Sequence, residues 1–175
     1  MIFRIVLVVA VLVAAVLIYA ATKPDTFSIE RTQTLDATPE KIFPLINDFH
    51  NWPRWAPQDH EDSTLRRAFN GAENGVGAVS EWTGSGNSGS GRMLITDSVS
   101  NQKVTIQVDF TKPFQAHNVN EFTLTPSGNA TRVTWKMQGT NVYIMKVMSI
   151  FVNMDRMMGK HFESGLDNLK AAAEK

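Results

Sequence analysis

A carboxylate, arginine or tyrosine turned into an apolar interior shifts its pKa and can move protons, and Glu81, Arg92, Asp97 and Tyr143 are the side chains here with that opportunity. Glu81 lies in an alternating stretch, 76–83, in which either Ala78, Ser80 and Trp82 or Val79, Glu81 and Thr83 face inward. With Trp82 inward, Glu81 meets solvent, pairs across a hairpin with Arg92 and does nothing chemical. Covalent chemistry lacks parts: the chain has no cysteine and no G-x-S-x-G elbow. His50, His60, His117 and His161 are scattered without metal-ligand spacing, and the acidic run Asp59-His60-Glu61-Asp62 reads as a solvated loop. No metal and no cofactor is expected. Gly84, Gly86 and Gly89 spell G-x-G-x-x-G, but Arg92-Met93-Leu94-Ile95-Thr96 after them reads as strand, so no helix N-terminus is available for a pyrophosphate. A hairpin tip is the better reading. Asn129-Ala130-Thr131 is a glycosylation sequon, meaningful only in a eukaryotic secretory setting.

The apolar pattern is more informative. Val147, Phe151, Met154, Met158, Phe162, Leu166 and Leu169 follow one another at steps of 3 and 4, one face of a helix. Five of the eight methionines, Met145, Met148, Met154, Met157 and Met158, are packed into this region. A single methionine is ordinary core; a cluster of unbranched thioethers suits a wall that adapts to irregular contents. The pattern predicts one long amphipathic helix from about Asn141–Ile144 to Ala173, with a bend or close contact at Gly159, laid over a greasy cavity.

Upstream elements must supply the opposite wall. Residues 27–35 alternate as a first strand, and Thr38 with Pro39 opens a helix carrying Ile42, Phe43, Leu45, Ile46 and Phe49. Pro44 inside it predicts a short, bent or broken helix. In Trp52-Pro53-Arg54-Trp55-Ala56-Pro57, two indoles in an irregular segment either plug one end of a core or line a cavity. Strands follow at about 65–69, 76–83, 92–99, 103–110, 118–125 and 131–138, divided by turn signals such as Asn74-Gly75 and Ser127-Gly128-Asn129. Val104, Ile106, Val108 and Phe110 oppose Lys103, Thr105, Gln107 and Asp109, and Val133, Trp135 and Met137 oppose Arg132, Thr134 and Lys136. One dry face and one wet face describe an antiparallel sheet covered on a single side.

The 175 residues suit one principal domain, and 43% hydrophobic content is ample for a core. Ile5 to Ala21 is an unbroken run of 17 apolar or aromatic residues, about 26 Å as a helix at ~1.5 Å per residue. An uncleaved anchor over residues 1–22 is favoured over a cleaved signal sequence, because Ile18 or Tyr19 would stand where cleavage wants a small residue. Arg4 and the amino terminus, against Lys23 and Asp25, bias the N-terminus to the cytoplasm and residues 27–175 to the periplasm or exterior. Beyond the anchor, 16 basic residues face 17 acidic ones, and no charge argument for nucleic acid survives that balance.

Phe43-Pro44-Leu45-Ile46-Asn47-Asp48-Phe49, Trp52-Pro53-Arg54-Trp55-Ala56-Pro57, Glu81-Trp82 within 77–84, Thr131-Arg132-Val133-Thr134-Trp135 and 159–170 together resemble the START/Bet v 1-like superfamily. Within it they are most similar to the polyketide cyclase/dehydrase and lipid transport (SRPBCC) branch, over about residues 27–172. The resemblance implies an α+β helix-grip fold: a curved antiparallel seven-stranded sheet around a long C-terminal helix, here with an added N-terminal transmembrane helix. It also implies a cavity for a hydrophobic small molecule or lipid, for whose wall Trp55, Trp82, Phe110, Phe122, Trp135, Met137, Met154 and Met158 are the candidates. The expected function is membrane-anchored binding or transport of such a molecule. A cyclase, aromatase or dehydratase using acid–base groups in the same cavity is the alternative, and it fails if Glu81, Arg92, Asp97 and Tyr143 all face away. A third reading is a membrane-side interaction module whose interior is filled by its own side chains.

Overall fold

A computed structural model describes residues 2–85 and 88–175; Gly86 and Asn87 of the glycine-rich turn lie outside the described residues. Strands β1 (Thr26–Leu35), β2 (Arg66–Gly71), β3 (Ala78–Thr83), β4 (Ser90–Val99), β5 (Lys103–Lys112), β6 (Ala116–Ser127) and β7 (Ala130–Thr140) form one antiparallel sheet. Their order is β1-β7-β6-β5-β4-β3-β2. Short turns make β2 to β7 pair with their chain neighbours, and β1 closes on β7. The alternation read from β5 and β7 holds: Val104, Ile106, Val108, Val133, Trp135 and Met137 are buried. The sheet is curved and carries its C-terminal helix on the buried face, which is the helix-grip arrangement.

The segment expected to be an anchor is helix α1 (Ile2–Ala21), long and apolar enough to cross a membrane, with only Ala20 buried. Helix α2 (Pro39–Asn47) is short, as expected, but unbroken by Pro44. Proline removes the amide that would bond the carbonyl of Glu40; both residues are exposed, so water can serve that carbonyl. Thr38 holds the N-cap position without a side-chain cap bond. The Trp-Pro segment forms a 3-10 helix, Phe49–Arg54, followed by α3 (Pro57–Glu61).

The C-terminal third departs from the single helix the periodicity predicts. It forms α4 (Tyr143–Phe151) and α5 (Met154–Ala173), parted at Val152, which is extended (φ −124°, ψ 130°). The β-branched Val152 favours that conformation, and Asn153 then caps the new helix by accepting from the Arg156 amide at 2.9 Å. Helix α4 turns away to α1, where the Tyr143 hydroxyl donates to the Leu17 carbonyl at 2.8 Å. Lys146, buried, pairs with Asp25 in the connecting segment and holds that carboxyl below the usual carboxylate range. Val147 and Phe151 therefore leave the predicted core face, and Phe151 is 72% exposed.

Helix α5 lies along β1. Arg31 reaches over it: Nε donates to Glu163 at 2.8 Å and Nη2 to the Asp155 carboxylate at 3.1 Å. The guanidinium crosses the helix at Gly159, where an added Cβ would fall 1.8 Å from Nη2. Of the bend or close contact expected at Gly159, the close contact is present. Gln33 adds a bond to Asp167 at 2.8 Å.

The acidic run also differs from its expectation. Asp59 on α3 takes a two-pronged bond from Arg67 on β2, Nε to Oδ1 at 2.8 Å and Nη2 to Oδ2 at 2.5 Å, with the two side chains only 10% and 6% exposed. The fork geometry of guanidinium on carboxylate compensates both charges for lost water. Asp59→Ala leaves the Arg67 charge unpaired and is expected to cost about 3 kcal/mol in urea denaturation, whereas Asp59→Leu combined with Arg67→Met should cost clearly less than the sum of its single changes.

Candidate functional site

Two constraints decide where space is left between sheet and helix. Five rings, Trp52, Trp55, Phe122, Trp135 and Phe162, pile up beneath the C-terminal half of α5. Trp135 stacks on Phe162 with centroids 4.2 Å apart and planes 4° apart. Phe162, Leu166, Leu169 and Ala173 are buried here, so this half of the helix packs flush. The N-terminal half is held instead at the β1 edge by Arg31, and the faces of β3 to β6 are left partly uncovered.

The result is a cleft of about 640 Å³. That is within the usual range for small-molecule sites, ~300–1,000 Å³. Trp82, Met93, Val108 and Phe110 form its sheet wall, and Met157, Met158 and Phe162 its helix wall. Trp82 and Phe110 meet edge to face at 5.3 Å. Trp82 lies over Gly91 on the neighbouring strand, where an added Cβ would come within 2.4 Å of the indole; a glycine is needed there for the wall to be flat.

Of the eight residues expected to line a cavity, Trp82, Phe110, Trp135, Met137 and Met158 do line the cleft. Trp55 and Phe122 do not: both are fully buried in the ring pile, and the Trp55 indole donates to the Leu45 carbonyl at 2.8 Å. The plug and lining readings of the two indoles both apply, since Trp52 is pile on one side and cleft on the other. Met154 opens α5 just after the helix is interrupted at Val152; it is half-buried and does not line the cleft.

The four acid–base candidates stand elsewhere. Glu81 is exposed opposite Arg92, and Trp82 takes the inward parity. Arg92 shares the outward parity, next to the buried Met93. Asp97 pairs with Lys103 at 2.8 Å, which lowers its pKa, and Tyr143 binds α1. None lines the cleft.

The polar groups that do line it were not singled out from the sequence. Asn120 lies on β6 at the parity of Phe122 and Leu124, a polar residue in an apolar row, which was the available signal. His161 precedes Phe162 on α5 and faces α3, with Nε2 3.3 Å from Gln58 Oε1 and Nδ1 3.8 Å from Glu61 Oε2. Burial pushes the imidazole below its ordinary value, and Glu61 opposes that shift weakly. His161 is therefore neutral at neutral pH. Among the described residues no group of histidine, cysteine and carboxylate side chains could hold a metal ion.

The depressed imidazole gives a pH dependence of known sign. Above its ordinary value of 6.5, folded and unfolded chains both leave His161 unprotonated and stability does not respond. As the pH falls below that value the unfolded chain takes the proton first, so stability declines until the folded imidazole also titrates. Urea midpoints measured from pH 7.5 to 5 should fall more steeply for the native chain than for His161→Gln; parallel lines would contradict the assignment.

The profile of the family described as polyketide cyclase / dehydrase and lipid transport matches residues 26–174. No curated protein matches the chain in sequence. Among solved structures, protein CV1439 from Chromobacterium violaceum superposes with a TM-score of 0.62 at 15% identity, over 87% of this chain and 99% of its own. The di-domain ARO/CYC StfQ from the steffimycin biosynthetic pathway gives 0.67 at 12% identity, over 85% of this chain and 51% of its own. Ara h 8.0201 gives 0.56 at 13% identity, over 85% and 95%. At such identities these likenesses show the fold alone.

Proposed function

The chain belongs to the polyketide cyclase / dehydrase and lipid transport family, and from that premise we propose that it holds a hydrophobic small molecule or lipid in the cleft while α1 tethers it to a membrane. The observation that carries this reading is the cleft itself, an apolar space of about 640 Å³ walled by aromatic rings and by two methionines of the helix that covers it. A ligand burying about 200 Å² of apolar surface there gains roughly 5 kcal/mol before the costs of association. Met157 and Met158 adapt that wall to different shapes.

The tether bears on how a ligand arrives. Ile144, Met148, Phe151 and Val152 are exposed on α4 and its end, next to α1, and Met157 at the mouth of the cleft is 52% exposed. Exposed apolar side chains thus stand both beside α1 and at the mouth of the cleft, a placement suited to a molecule leaving a bilayer. The charges flanking α1 favour a cytoplasmic N-terminus, with the cleft on the opposite side. The enzymatic alternative required Glu81, Arg92, Asp97 or Tyr143 in the cavity, and none of them lines the cleft.

Native mass spectrometry of the full chain after mild detergent extraction should show a bound apolar molecule, or uptake of an added neutral lipid, sterol or aromatic polyketide. A chain that emerges bare and takes up none of them defeats the proposal. A reporter fused after Lys175 should be active only outside the cytoplasm; activity confined to the cytoplasm reverses the topology.

A further inference from the structure

Buried polar groups are almost always hydrogen-bonded, and the indoles of this protein obey the rule with one exception. Trp52 donates to the Ile46 carbonyl at 3.0 Å, Trp55 to that of Leu45 at 2.8 Å and Trp82 to that of Ser88 at 2.9 Å. Trp135 Nε1 is buried and finds no acceptor among the described residues. Asn120 Oδ1 is likewise buried and finds no donor among them. Both residues are 4% exposed and both line the cleft. They sit on adjacent strands, Asn120 opposite Met137 and Trp135 opposite Phe122, which makes them diagonal neighbours on the inward face. One spare donor and one spare acceptor thus belong to diagonal neighbours on the cleft's sheet wall, whose other members Trp82, Met93, Val108 and Phe110 are apolar.

We propose that this pair recognises the hydroxyl of a neutral, otherwise apolar ligand, the oxygen accepting from Trp135 Nε1 and its proton passing to Asn120 Oδ1. This rests on the reading of the cleft as a container and names what it contains: a long-chain alcohol, sterol or phenol. A hydroxyl satisfies both atoms through one oxygen, whereas an ether or ketone oxygen offers Asn120 Oδ1 no proton. A carboxylate is disfavoured twice. It presents only acceptors to that oxygen, and its charge meets no lysine or arginine among the described lining residues, while Glu61 and Asp62 stand at the rim. His161, held neutral by burial, supplies no counter-charge at neutral pH.

The test is a competition on the full chain in lipid nanodiscs at pH 7.5, with 1-decanol, decyl methyl ether and decanoate in equal amounts and the bound species counted by native mass spectrometry. The alcohol should exceed the ether about tenfold, the worth of one net hydrogen bond, and exceed the carboxylate by at least as much. Asn120→Leu should bring alcohol and ether level, and Trp135→Phe should weaken the alcohol more than the ether. Equal binding of alcohol and ether, or dominance of decanoate, overturns the head-group assignment while leaving the container intact. Uptake of none of the three overturns both. The comparison on the native chain decides the matter even if a variant fails to fold.

Discussion

The contact on which the architecture turns is the stack of Trp135 on Phe162, where sheet and helix touch through two parallel rings 4.2 Å apart. On one side of it the interior is solid, filled by Trp52, Trp55 and Phe122 and closed by Leu166 and Leu169. On the other side no large side chain spans the gap, and the cleft begins. A cavity in a protein interior is expensive to maintain, because its lining forgoes the dispersion contacts that close packing provides. It persists only where something rigid prevents collapse. Here the rings are that prop: each buries a large area, and the Trp52 and Trp55 indoles are pinned by bonds to the α2 backbone, so the pile cannot slide to fill the space beside it.

Holding the helix at a distance needs a second fixture. The first turns of α5 have little core beneath them, and Arg31 secures them at the sheet's edge through Asp155 and Glu163. Those carboxylates are 64% and 57% exposed, so each ion pair is worth at most about 1 kcal/mol. The two halves of α5 are thus held by forces of different kind. The C-terminal half is fixed by hydrophobic burial, and the N-terminal half by a solvent-facing clamp that opens at small cost. Local opening draws on the weakest-held segment of a fold, and here that segment carries Met157 and Met158, the movable wall of the cleft.

Much of this was legible from residue order, and the misses share a cause. Strand alternation and turn residues identified the antiparallel sheet, because period-2 patterning is set locally, and the resemblance carried by the Trp-Pro segment and its companions supplied the helix-grip class. The break at Val152 was not legible: the 3-4 spacing of apolar residues runs straight through it, and only the pairing of α4 with α1 shows that Val147 and Phe151 serve a different surface. Periodicity says that a face is apolar, not what it faces. For the same reason Trp55 and Phe122 were grouped with Trp82 and Phe110, although the first two fill the pile and the second two wall the cleft. Asp59 looked solvated because its partner, Arg67, lies across a turn that sequence spacing does not bring together.

Asn120 shows what a departure from pattern is worth. On β6 the inward row reads Asn118, Asn120, Phe122, Leu124, and two amides on the parity of a hydrophobic face contradict the strand's own alternation. Leaving a buried amide oxygen or indole N–H without a partner costs about 1–3 kcal/mol each. Asn120→Leu and Trp135→Phe would remove those polar costs, but the first adds volume to the wall and the second takes packing from the ring pile. Of the unpartnered groups on this face, Asn120 Oδ1 and Trp135 Nε1 are the two whose residues line the cleft, where a bound polar group would complete them.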